Sequence, residues 1–269
     1  TEIYTLSLHD ALPIFPENNC THALVPKSLE QSLIDWSVFS EDFTLYLNIH
    51  HQVVQSGTFN FAGCRIPVPS KFNIVNWRHR LGVSNYYDQQ ICDLLEYGFP
   101  ISYEKLNMPI SSPWNHSQSH AFPQSVDKFI EKEIKLGATI GPFSVNPLTS
   151  KLFISPLNTT PKKGSQEKRR IILDLSWPPQ TSVNDGIDKE RYLGVPIKVK
   201  YGSVDNLVDI IVSMGQGCLL FKTDLARTYR QIPVCPRDIQ FLGYSWRNNF
   251  FIDRPLPFGL RSAAYICQN

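Results

Sequence analysis

Three constellations in the sequence could do chemistry on phosphate. The first is the turn that holds Lys162, Lys163, Lys168, Arg169 and Arg170, five cations against one acid, Glu167. Arginine offers a planar fork and lysine a compact point charge, so such a turn can clamp phosphate oxygens through charge-assisted hydrogen bonds. A solvated loop would carry the same run of charge. The second is FKTDLARTYRQIPV, residues 221–234, in which Asp224 follows the apolar run Cys218 to Phe221. An aspartate after a strand suits a cap or a turn. Phosphoryl transfer gives it another use, because carboxylates hold the magnesium ions that stabilise the attacking and leaving oxygens. One carboxylate is not enough for two ions. The third is LPFGLRSAAYICQ, residues 256–268, where a Pro and Gly turn runs into a helix. A purely structural turn followed by a packing helix accounts for that composition equally well.

The elements that must position these residues follow from periodicity. Asp88 to Tyr97 puts Ile91, Leu94 and Leu95 on one face and stops at Gly98, as a helix does. Ser125 is read as the cap of a second helix, with Val126, Phe129, Ile130 and Ile134 on its apolar stripe and Gly137 closing it. Leu152 to Ser155 and Arg170 to Leu175 read as strands on either side of the charged turn Pro161 to Lys168. Ser203 opens a helix with Val204, Leu207, Val208 and Ile211 on one stripe, ended by Gly215. The continuous apolar run Cys218 to Phe221 predicts a buried strand that delivers Asp224 near its end. Phe241 to Trp246 and Phe250 to Ile252 flank Arg247, Asn248 and Asn249, a connection that suits a hairpin. Helices mixed with short strands and hairpins make the fold class α+β.

Composition narrows the alternatives. With 42% apolar and 12% aromatic residues over 269 positions, the chain can bury a substantial core. Lysine and arginine number 26 against 24 acids, a net charge of +2, so only clustered charge can argue for nucleic acid. Six cysteines, at 20, 64, 92, 218, 235 and 267, never form CxxC, which speaks against a zinc knuckle and a disulfide scaffold. His50, His51, Cys64 and Cys92 also lack the spacing of metal ligands. No apolar run reaches the length that spans a bilayer. An intracellular, soluble chain is expected, with nucleus and cytoplasm undecided.

Taken together, the three constellations resemble the reverse transcriptase family. The wording DLSWPP, SVNDGI, YLG, GYSWR and RSAAYICQ is similar to retrotransposons of the DIRS-like kind, over roughly residues 120–269. That resemblance implies a right-hand polymerase, with fingers over 120–215 and the start of the palm over 216–269. Residues 16–119 are left as an element-specific region. Residues 1–15, TEIYTLSLHDALPIF, are read from their foreign character as a non-native leader, with a natural edge strand at Ile3 to Leu8 as the alternative. It implies that Lys163 and Arg170 grip the triphosphate of the incoming deoxynucleotide. Asp224 would be the first metal-binding, catalytic aspartate, with the Leu225 carbonyl as a further ligand. Tyr229 would sit under the sugar as a gate against a 2′-hydroxyl. Phe258 and Gly259 would line the nucleotide pocket, and Arg261 would begin the template-side helix. Magnesium would be the cofactor, two ions in the complete enzyme, and an RNA or DNA template-primer the partner.

Two departures accompany the resemblance. Ala264 stands where related elements commonly have proline, and the chain stops at Asn269, before the paired aspartates of the family's later hairpin. The sequence is therefore read as a fragment, inactive by itself. The alternatives are a non-catalytic nucleic-acid-binding remnant and a host interaction protein.

Overall fold

The computed structural model describes residues 68, 70–112, 114–148, 150–199 and 201–268, together with a two-residue strand, β1 (Thr5–Leu6). The expectations placed on His50, His51 and Cys64, and on the leader apart from β1, lie outside the described residues.

Among the described residues four helices precede a run of short strands, and two further helices follow later in the chain, a mixed α and β arrangement. Helix α1 (Ile74–Val83) is capped by Asn73, whose side chain accepts from the Asn76 backbone N–H. It is tied to α2 (Ile91–Tyr97) by Arg78, which reaches both Asp93 and Glu96. The short α3 (Ser117–Ala121) leads into α4 (Pro123–Lys135). Here the expected cap is corrected. Phe122 occupies the cap position and Pro123 begins the helix, which leaves Ser125 inside the first turn. Proline suits that place because its missing N–H would have had no helical partner and its φ is already helical.

A three-stranded antiparallel sheet, in the order β2–β9–β8, forms the centre: β2 (Thr139–Phe143), β8 (Gly243–Trp246) and β9 (Asn249–Asp253). The hairpin between β8 and β9 turns on Arg247 and Asn248, both with positive φ. That pair of left-handed residues is what a two-residue hairpin turn requires. Tyr244, Ile252 and Ile140 from this sheet are buried with Val126 and Ile130 of α4.

A second hairpin joins β3 (Leu157–Lys162) to β4 (Ser165–Leu173). The expected strand at Leu152 to Ser155 is not one. The segment is buried, but its N–H groups go to different partners: Phe153 to the Gln240 carbonyl, Ile154 to Ser111 Oγ, and Ser155 to the Gly243 carbonyl. With its donors dispersed in this way, only one ladder bridge remains, Ile154 to Gly243. A small ribbon, β5 (Arg191–Tyr192) and β6 (Val195–Pro196), precedes α5 (Val204–Met214).

Helix α5 starts and stops as read, between a Ser203–Asn206 capping box and Gly215. Its apolar stripe is exposed, with Val204 at 76% and Leu207 and Val208 near one half. The run Cys218 to Phe221 is also corrected: it forms no strand, and Leu219 and Phe221 are more than 90% exposed. A continuous apolar strand is buried only where layers cover both faces, and among the described residues none covers this one. The only strand there is β7 (Asp224–Leu225), paired in parallel with β1. Helix α6 (Ala263–Gln268) ends the described chain.

Candidate functional site

The β3–β4 hairpin carries the basic turn and divides its cations between two faces. Side chains alternate along a strand, so Arg169 faces the way of buried Thr159 and Leu173, and Arg170 and Lys168 face the other way. Arg169 is used internally: it donates to Thr159 and Gln118 and lies 3.9 Å from the centre of the Phe122 ring. Lys163 stands at the exposed tip beside Gly164, and Arg170 is exposed on β4. Of the five cations, one fastens the hairpin to the protein and the rest face solvent.

Asp224 is exposed. The Leu225 carbonyl is already an acceptor, taking the Thr228 hydroxyl at 2.7 Å. The chain then turns through Arg227, whose φ of 55° is left-handed, into a 3₁₀ turn over Thr228–Gln231. On that turn Tyr229 is half-buried, and burial raises its phenol above the ordinary tyrosine range. Its ring meets that of Phe258 edge-on, with centroids 5.2 Å apart and planes at 86°.

Gly259 follows in a conformation that L side chains rarely adopt, φ 97°, and a Cβ there would come within 3.3 Å of the Leu173 carbonyl oxygen. Glycine suits the turn's backbone, and a Cβ would be a tight fit against β4. The contact brings the Phe258–Gly259 turn against the end of the strand that carries Arg170 three residues earlier.

Asn184 locks the turn in place. Its side-chain amide donates to the Gly259 carbonyl at 2.7 Å and to Ser176 Oγ at 2.9 Å, and its Oδ1 accepts the Arg261 N–H at 2.8 Å. The Arg261 guanidinium donates to the carbonyls of Ile187, at 2.8 Å, and Asn184. Arg261 thus fastens α6 to the SVNDGI segment.

Below the Tyr229 turn lies an ionic network that sequence reasoning missed. Glu133 of α4 accepts from both arms of Arg227 at 2.8 and 2.9 Å, and from Arg230 Nε and Nη2 at 3.0 and 2.9 Å. Arg230 also reaches both oxygens of Asp253 on β9, which in turn accepts from the Thr139 hydroxyl. Arg230, Glu133 and Asp253 are all buried. One signal could have found it: Glu133 falls on the same helical face as Val126, Ile130 and Ile134, and an acid on a core-facing stripe demands a cation.

As a magnesium site the described residues are incomplete. Asp224 offers one carboxylate and Leu225 one carbonyl, and no group of three or more His, Cys, Asp and Glu able to hold a metal occurs among the described residues. Nor, among them, is any helix long and apolar enough to cross a membrane.

No family model matches the chain, and no curated protein does. Solved structures of foamy virus protease-reverse transcriptase are similar to it at low level. The native prototype foamy virus protein is 16% identical over 61% of this chain and 19% of its own, with a TM-score of 0.40. A form in complex with double-stranded DNA is 15% identical over 74% of this chain and 35% of its own, with a TM-score of 0.41. Another DNA complex is 14% identical over 74% and 40%, at 0.40. The chain spans less than half the length of these proteins.

Proposed function

We propose that the chain is the fingers and the start of the palm of a reverse transcriptase from a DIRS-like retrotransposon. The complete enzyme adds deoxynucleotides to a primer 3′-hydroxyl on an RNA or DNA template. One observation carries the reading. Tyr229 and the Phe258–Gly259 turn, far apart in the sequence and singled out there for one pocket, come together, and Gly259 rests on the strand of Arg170.

In this reading Arg170 and Lys163 bind the triphosphate from the exposed side of the β3–β4 hairpin. The Tyr229 ring lies under the sugar, where a flat ring packed against C2′ leaves no room for an added oxygen. Phe258 fixes that ring from the side. Asp224 contributes one carboxylate to magnesium, which in the complete enzyme stabilises the attacking and leaving oxygens. The remaining carboxylates come from elsewhere than the described residues.

The activity is tested by primer extension with the reading frame continued through a Tyr- or Phe-x-Asp-Asp segment. Template-dependent extension that Asp224→Asn abolishes supports the proposal. A soluble, folded extended enzyme without extension on any template contradicts it.

A further inference from the structure

We infer that Glu133, through Arg227 and Arg230, is a positioning residue for the Tyr229 ring and hence for the choice between deoxyribose and ribose. The functional half of this rests on the pocket reading above.

Arg227 and Arg230 bracket Tyr229 and lie three residues apart across a 3₁₀ turn. Arg227 precedes the turn in a left-handed conformation and Arg230 lies within it, yet both guanidinium groups reach the Glu133 carboxylate while the Tyr229 ring reaches Phe258. Both converge on the Glu133 carboxylate, which accepts four N–H donors. Arg230 is bound a second time by Asp253. A bidentate fork constrains the orientation of its partner as well as the distance. Arg227 needs such a constraint because its left-handed backbone, φ 55°, is costly for a residue with a Cβ. Two acids meet two cations, so the cluster is balanced.

The consequence concerns freedom of the ring. Among the described residues Tyr229 makes one aromatic ring contact, with Phe258, which is itself half-exposed at 53%, and it packs at the margin of the core. Thr228 and Gln231 close the turn locally by donating to the Leu225 and Ala226 carbonyls, and α4 and β9 hold it from beneath through Arg227 and Arg230. Releasing Arg227 lets the turn relax to a right-handed backbone and swings Tyr229 away from Phe258.

The test places 3-fluorotyrosine at position 229 of the 269-residue chain and reads its fluorine resonance without nucleotide. A second sample carries the label at Tyr103, which stacks on Phe241 and serves as control. Phe258→Ala defines the resonance of a ring without its neighbour. Arg227→Gln and Glu133→Gln are each expected to move the Tyr229 signal most of the way to that position, with Arg227→Lys between them and the parent. The Tyr103 signal should stay. Arg227 is 29% exposed in its side chain, so its variants keep the buried Arg230–Asp253 pair and the test survives if Glu133→Gln does not fold. A Tyr229 signal that both Gln variants leave at the parent position overturns the inference. So does a Tyr103 signal that moves as far as that of Tyr229, since the network would then only support the core. Because no nucleotide is present, failure of the pocket reading would show in binding and leave this result standing.

Discussion

The ring of Tyr229 meets the ring of Phe258 edge-on at 5.2 Å, although 29 residues of sequence separate them. An edge-to-face pair of this kind contributes about 0.5–1.5 kcal/mol beyond burial, enough to bias one ring orientation. On the proposed reading, Tyr229→Ala in the extended chain should raise ribonucleotide incorporation relative to deoxynucleotide incorporation, measured by single-nucleotide extension. Unchanged discrimination would remove Tyr229 from its role at the sugar.

Arg230 is buried between Glu133 and Asp253, and their charges raise its pKa further above the ordinary arginine value against the opposing effect of burial. Removing the cation leaves two buried carboxylates without compensation. Arg230→Met should therefore cost about 3–5 kcal/mol, the range for breaking a buried pair from one side. Urea denaturation of the purified chain reads this directly, and a loss below about 1 kcal/mol would mean that the network contributes little.

Asp127 on α4 accepts from Arg247 and from the Trp246 indole, and tethers the β8–β9 turn to the helix. The Arg247 hydrogen bond holds its carboxyl below the ordinary aspartate range. A carboxyl with a lowered folded-state pKa stabilises the fold above its unfolded pKa and loses that contribution as pH falls through the folded value. Asp127→Asn should thus lower the melting temperature at neutral pH, and the gap to the parent should close below about pH 4, the ordinary aspartate range. A gap constant from neutral to acidic pH would show that the Asp127 charge is not what matters.

How far the sequence was legible depended on how local each signal was. The Ser203 cap, the Gly98 and Gly215 stops and the Arg247–Asn248 turn were readable because each is settled within a few residues. Leu152 to Ser155 misled because apolar character reports burial and not hydrogen-bond partners, which here come from Ser111, Gln240 and Gly243. Cys218 to Phe221 misled for the reverse reason, since burial needs a covering layer that no local pattern encodes. In the candidate site, Tyr229, Phe258 and Gly259 were singled out through motif order, whereas Glu133, Asn184, Arg227, Arg230 and Asp253 act through contacts many residues apart.

On the proposed reading, Arg170 and Lys163 present phosphate-binding charge to a deoxynucleotide seated on Tyr229. The affinity of the purified 269-residue chain for a fluorescent deoxynucleoside triphosphate, at low and high salt, tests this. Neither cation needs a metal to attract phosphate, so weak binding that salt reduces is expected. Lys163→Ala and Arg170→Ala should each weaken it about tenfold or more, the loss of a hydrogen bond to a charged group. Absence of binding, or an affinity that both substitutions leave unchanged, would contradict the account.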